Sequence, residues 1–180
     1  MKNKIISILL LGFMYQIGFS QTIDASKLDQ YFETLEDNNK FMGSVALLQD
    51  GKVIYTKAIG YSDAETKTKP DKNTKYRIGS ISKTFTSTLV FKAIEENKLS
   101  LETKLAKYFP GIKNASKITI SNLLNHRSGI HNFTNDEDYL KWNTQQKSQE
   151  EMLQIIKKAG SDFKPDSKAE YSNSNYVLLS

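Results

Sequence analysis

Ser80, Ile81, Ser82 and Lys83 set a hydroxyl and an amine three residues apart, after an extended segment ending at Gly79 and before an apolar helical run. A serine hydroxyl is a weak nucleophile at its free pKa and needs a base beside it. On a helix, residues i and i+3 share a face, so Lys83 reaches the Ser80 hydroxyl without long-range assembly. The start of a helix also offers unpaired backbone N–H groups that favour developing negative charge. The chemistry this suits is acyl transfer through a serine intermediate. Taken alone, Ser-x-x-Lys is also met by an N-cap serine and a solvated lysine, and Ser161 and Lys164 repeat the spacing. That second copy falls between a helix stop and Pro165, with no helix to fix its lysine, whereas Ser80 has a strand before it and a helix after it.

Tyr171, Ser172 and Asn173 form the only Tyr-x-Asn in the chain. A phenol near a cationic lysine is pushed toward phenolate and can move protons between nucleophile and leaving group. An Asn side chain has both a donor and an acceptor, suited to holding a substrate amide. The simpler alternative is a core tyrosine and an N-cap asparagine.

Together these segments resemble the serine β-lactamase and penicillin-binding protein family, in which Ser-x-x-Lys is accompanied by two further elements. The middle element here, Tyr-Ser-Asn, resembles the class C β-lactamase and D-alanyl-D-alanine carboxypeptidase branch. The likeness extends over Arg77 to Thr86, Ile118 to Ile120, Leu123 to Ile130 and Tyr171 to Tyr176, within roughly residues 25–180. It implies Ser80 as the acylated nucleophile, Lys83 and Tyr171 sharing the proton transfer, and Asn173 binding the substrate amide. The Ser80 N–H would supply one oxyanion donor. It implies an α/β (α+β) β-lactamase/transpeptidase-like fold, an antiparallel sheet with a helical subdomain. D-Ala-D-Ala peptides, β-lactams or esters would be the substrates, either small molecules or peptidoglycan peptides, with no cofactor and no metal. The third element of the family, a basic residue or His followed by Ser or Thr and Gly on a late strand, does not follow Asn173. Residues 21–180 therefore read as the N-terminal part of a longer serine hydrolase domain, with an incomplete sheet and little activity of its own. The competing class is a non-catalytic exported penicillin-recognising or sensor-like domain.

Other chemistries fare worse. No serine is flanked as Gly-x-Ser-x-Gly, so the nucleophile elbow of a Ser-His-Asp hydrolase is absent. His126 and His131 are five apart, a spacing that does not share a helical face for a metal. The 180 residues contain no Cys, which excludes thiolate metal sites, a cysteine nucleophile and a lipoprotein anchor. Lys2 and Lys4, the apolar run Ile5 to Tyr15, and Gly18 and Ser20 before Gln21 have the layout of a cleaved signal peptide, residues 1–20. The run is short of the roughly 20 residues that span a bilayer, so no stable membrane anchor is expected. Removing two lysines with it lowers the net charge of +5 to +3, too weak and scattered for nucleic acid. The protein is expected to be exported, periplasmic or secreted. Asn114 and Asn132 begin glycosylation sequons that carry little weight.

The elements that must position these groups follow from periodicity. Leu28, Tyr31, Phe32 and Leu35 predict an amphipathic helix over 25–38. Two β-rich runs, 41–49 and 52–61, flank Asp50-Gly51, a hairpin signature. A two-stranded hairpin is marginal alone. Residues 80–97 predict a helix with Ile81, Phe85, Leu89, Ala93 and Ile94 as its buried stripe, widened by Val90 and Phe91. A short helical region over 99–109 should follow, then a helix from Ile120 to about His126, capped by Thr119 and with Ser128-Gly129 as its stop. Ser148 and Glu151 make a capping box for a helix to Ala159, and another helix begins after Tyr171.

Overall fold

A computed structural model describes residues 23–71 and 73–180; the expected leader, residues 1–20, lies outside them. The chain divides into two compact units, one ending at Tyr76 and the other Arg77–Ser180.

In the first unit, α1 is Ala25–Asp37, capped by the Asp24 carboxylate, which accepts from Ser26 N and Lys27 N. Leu28, Phe32 and Leu35 are half-buried, and Phe32 stacks on Tyr55 with centroids 6.2 Å apart. Tyr31, expected in that stripe, is instead exposed, packed edge-on against Phe32. The hairpin is β1, Gly43–Gln49, against β2, Lys52–Ile59, antiparallel with Gln49 opposite Lys52. Asp50 and Gly51 both take positive φ, 50° and 74°, as a two-residue turn matched to strand twist requires. Lys57 Nζ ties β2 to α1 through Asp29 at 3.0 Å and Glu33 at 3.2 Å. Between them β1 and β2 form the one sheet among the described residues.

The second unit is helical. A 3-10 turn, Gly79–Ile81, leads into α2, Ser82–Glu95. Of the expected buried stripe of this helix, Val90 and Ile94 pack inward, whereas its first part and Phe91 are exposed. Ile81, Phe85 and Leu89 are 61, 64 and 70% exposed, Ala93 and Ile94 are half-buried, and Val90 is the buried residue of the helix. The helix is apolar on two faces, and periodicity does not rank them. The face holding Val90 and Ile94 packs on the core of its own unit, which includes Leu105, Ile118, Leu123 and Ile156.

The expected helical region over 99–109 shrinks to the 3-10 turn Leu105–Lys107. Its backbone donors are spent across the loop that follows: Leu105 N donates to Ile118 O at 2.9 Å and Ala106 N to Ala115 O at 3.1 Å. Next is α3, Ile120–Leu124, closed at its start by a capping box between Thr119 and Asn122. It ends at Leu124, near the expected His126, but Ser128-Gly129 is not what stops it. Arg127 N donates to Asn122 O and His126 N to Leu123 O, a Schellman motif with His126 as the left-handed residue at φ 56°. Gly129 serves another purpose: at φ 76°, a Cβ on it would lie 2.1 Å from the Phe163 carbonyl oxygen.

A 3-10 turn, Phe133–Asn135, and the short α4, Tyr139–Trp142, come next. The helix α5, Gln149–Ala159, has the Ser148–Glu151 capping box and ends at Gly160, φ 77°. The last helix, α6, is Asn173–Val177. No helix among the described residues is long and apolar enough to cross a membrane.

Candidate active site

The start of α2 and the start of α6 carry the four residues singled out by their spacing, and the second unit brings all four together. Gly79, at φ 52° with open space around it, turns the extended segment into the 3-10 turn. Ser80 sits in that turn with an exposed side chain, and Lys83 is one helical turn on. Lys83 Nζ donates to Ser80 Oγ at 3.0 Å. Tyr171, 91 residues further along, places its hydroxyl 2.6 Å from the same Oγ. Lys83 Nζ also donates to Asn173 Oδ1 at 2.7 Å and lies 5.0 Å from the centre of the Tyr171 ring. Ser80 Oγ is thus flanked by a phenol and an amine, and the amine is held on its far side by an amide oxygen.

Burial pushes the Tyr171 phenol up, but the hydrogen bonds from Lys83 and Ser80 and the Lys83 charge outweigh it. The phenol is held below its ordinary value near 10. A serine hydroxyl next to an acidified phenol and an amine is set to lose its proton when it attacks a carbonyl.

Behind these groups lies a polar lattice. Asn132 Oδ1 accepts from Asn173 N at 2.9 Å and from Asn173 Nδ2 at 3.2 Å, and Thr134 Oγ1 accepts from the same Nδ2 at 3.1 Å. His126 lies against Tyr171, ring centroids 4.5 Å apart, and its Nδ1 accepts from Ser172 N at 3.2 Å. The proton of the neutral ring therefore sits on Nε2. Burial, then the Lys83 charge, hold His126 below its ordinary value, against the bond from Ser172. Tyr176 Oη joins Ser87 Oγ of α2, at 3.1 Å, to Leu124 O, at 3.2 Å. Ser128, Ser174 and Asn175 are fully buried, with Ser128 Oγ donating to Asn175 Oδ1 at 2.5 Å.

The second Ser-x-x-Lys has a structural use. Ser161 Oγ donates to Gly129 O and Phe163 O, pinning the loop around Gly129. Asn132, the first residue of a sequon, is buried and hydrogen-bonded, so the glycosylation reading does not hold there. Among the described residues no cluster of His, Cys, Asp and Glu could hold a metal.

The profile of the family described as Beta-lactamase matches residues 28–180. The chain belongs to the beta-lactamase family. Its fold is the β-lactamase-like α/β fold that the middle motif pointed to. A teichoic acid D-alanine hydrolase of Staphylococcus aureus is 33% identical over 153 residues, which is 85% of this chain and 36% of that protein. The chain thus spans about a third of the length of the curated relatives it matches. The crystal structure of FmtA from Staphylococcus aureus superposes with a TM-score of 0.70 at 32% identity, over 86% of this chain and 41% of that one. A D-amino acid amidase from Ochrobactrum anthropi SV3, with D-phenylalanine bound, shares the fold with a TM-score of 0.71 at 24% identity, over 85% and 44%. These relatives of the beta-lactamase family are hydrolases.

Proposed function

We propose that this beta-lactamase family chain carries the acylation machinery of an exported serine hydrolase. The observation behind the reading is the convergence on Ser80 Oγ of Tyr171 Oη at 2.6 Å and Lys83 Nζ at 3.0 Å. Ser80 Oγ attacks the substrate carbonyl, and its proton passes to Tyr171 or Lys83. The Ser80 backbone N–H stabilises the oxyanion. The same proton then goes to the leaving group as the carbonyl–leaving-group bond breaks. Water, deprotonated by the same pair, hydrolyses the acyl-serine and restores the hydroxyl. Asn173 holds the substrate amide through Nδ2, exchanging its bond to Thr134, because Asn132 on its other side is buried. No step requires a metal or cofactor.

For the substrate we favour an ester or amide of a D-amino acid, D-alanine first, because the relatives are named for a D-alanine hydrolase and a D-amino acid amidase. Export rests on residues 1–20, whose charged, apolar and small-residue segments follow the signal-peptide order.

The test is a fluorophosphonate or fluorescent penicillin label on the full-length protein, with hydrolysis of a D-alanyl ester followed in parallel. Labelling and turnover should both vanish in Ser80→Ala, a loss of about a million-fold in turnover for a serine nucleophile. A full-length protein that takes no serine-directed label and hydrolyses no ester would overturn the reading in favour of a non-catalytic recognition domain.

A further inference from the structure

We propose that Asn132 is a positioning residue that fixes which end of the Asn173 amide faces Lys83, and through it the reach of Lys83 to Ser80. The inference rests on the reading of Ser80 as nucleophile for its kinetic consequence, but its geometry stands by itself.

An asparagine side chain presents an oxygen and a nitrogen of nearly equal size, and only its partners decide which points where. Here one partner is unambiguous. The backbone N–H of Asn173 can only donate, so the Asn132 atom it meets at 2.9 Å is the carbonyl oxygen. The other end of the Asn132 amide is then Nδ2, and it finds Asn135 Oδ1 at 3.0 Å. Asn132 Oδ1, now fixed as an acceptor, also lies 3.2 Å from the Asn173 side chain, which must present Nδ2 to it. Thr134 Oγ1, 3.1 Å from the same nitrogen, takes its second hydrogen.

With both Nδ2 hydrogens held, the Asn173 oxygen is left facing Lys83 Nζ at 2.7 Å. That is the orientation an amine can donate to. The flipped amide would set N–H against N–H. The order of a single backbone N–H is thus passed through two side-chain amides to the amine that touches Ser80 Oγ. Burial of Asn132 makes the arrangement costly to rearrange, since a buried polar group without a partner destabilises the fold.

Two measurements on the full-length protein test this. In ¹⁵N-labelled protein, the Asn173 side-chain NH2 protons should exchange slowly and show contacts to Thr134 rather than to the Lys83 side chain. They should lose that protection in Asn132→Leu and keep it in Asn132→Asp, which retains the acceptor oxygens. In the second measurement, Asn132→Leu should slow acylation of Ser80 by about ten- to a hundredfold with KM little changed, as a misplaced reacting group does. Asn132→Asp should recover most of that rate. Wild-type Asn173 amide protons lying against Lys83, or unchanged protection in Asn132→Leu, would overturn the inference whether or not the protein is an enzyme. So would a full rate in Asn132→Leu, in a protein that labels at Ser80. If Asn132→Leu does not fold, the wild-type contacts of the Asn173 amide decide alone. An unlabelled wild type counts against the proposed function, and the amide measurement still decides the relay.

Discussion

The two ends of the candidate site are built in opposite ways. The Ser80 end is a turn and the exposed face of α2: Ser80, Ile81 and Phe85 all face outward, and local spacing sets the Ser80–Lys83 bond. At the other end Tyr171 is itself exposed, but the residues that follow it are sunk into the unit. Ser172, Ser174 and Asn175 are buried, and each bonds to the segment 126–133, more than forty residues away in sequence. One end is held by the 3-10 turn and the first turn of α2, the other by a polar lattice with no buried side-chain donor or acceptor left unpaired among the described residues. Substitutions at the Ser80 end should therefore cost chemistry and leave stability alone. Substitutions around Tyr171 should cost both.

The strongest way to break that contrast is Gly129→Ala. The new Cβ would sit 2.1 Å from the Phe163 carbonyl oxygen, and the residue would be held at φ 76°. The backbone cannot yield without moving the 126–133 segment that braces α6. We expect a loss of about 3 kcal/mol or more in urea unfolding, together with a fall in acylation. A variant as stable as the parent would show that the segment is not rigidly packed.

Ser128→Ala comes next. It removes the donor to Asn175 Oδ1 and the acceptor of Ile130 N, leaving both buried. Stranding buried partners costs about 1–3 kcal/mol. Under the same urea titration, Ser80→Ala should move stability by no more than about 0.5 kcal/mol, although it abolishes acylation. Equal stability losses in the two variants would sink the comparison.

The same contrast explains what could be read from sequence. Ser80 and Lys83 were legible because their contact is set three residues apart, from the 3-10 turn into the first turn of α2. Tyr171 and Asn173 stood out through a motif and a family resemblance rather than through periodicity. Asn132 and Thr134 left no signal, since their bonds to Asn173 cross 41 and 39 residues and obey no repeat. The cap at Thr119 and the capping box at Ser148 were readable, each being closed within three residues. The stop of α3 was misplaced because a histidine, not a glycine, takes the left-handed position. The buried face of α2 was legible at Val90, Ala93 and Ile94 but extended wrongly to Ile81, Phe85 and Leu89, which form as regular a stripe as the residues that pack.

The smallest effect is the most discriminating, because it pits two histidines five residues apart against each other. His131 bonds Asp162 through Nδ1 at 2.9 Å and Asp136 through Nε2 at 3.1 Å, and the Asp162 bond leads the causes that hold it above 6.5. His126, its ring tilted against Tyr171 and facing the Lys83 charge, is held below 6.5 by burial first and then by that charge. A raised histidine contributes stability that is full below about 6.5 and is lost as the pH rises through its folded value. A depressed one contributes stability that is full above about 6.5 and is lost as the pH falls through its folded value. The two slopes oppose each other in the wild type, each bounded by about 1.4 kcal/mol per pH unit for one proton. Between about pH 5.5 and 7.5, above the carboxylate range, His126→Phe keeps a ring against Tyr171 and removes the acid-side loss of His126, so its stability should decline as the pH rises. Over the same range His131→Gln should decline as the pH falls. Slopes of the same sign in the two variants would mean that the carboxylate clamp at the loop and the lysine-facing ring at the site are not the environments described, and the contrast between them would fail.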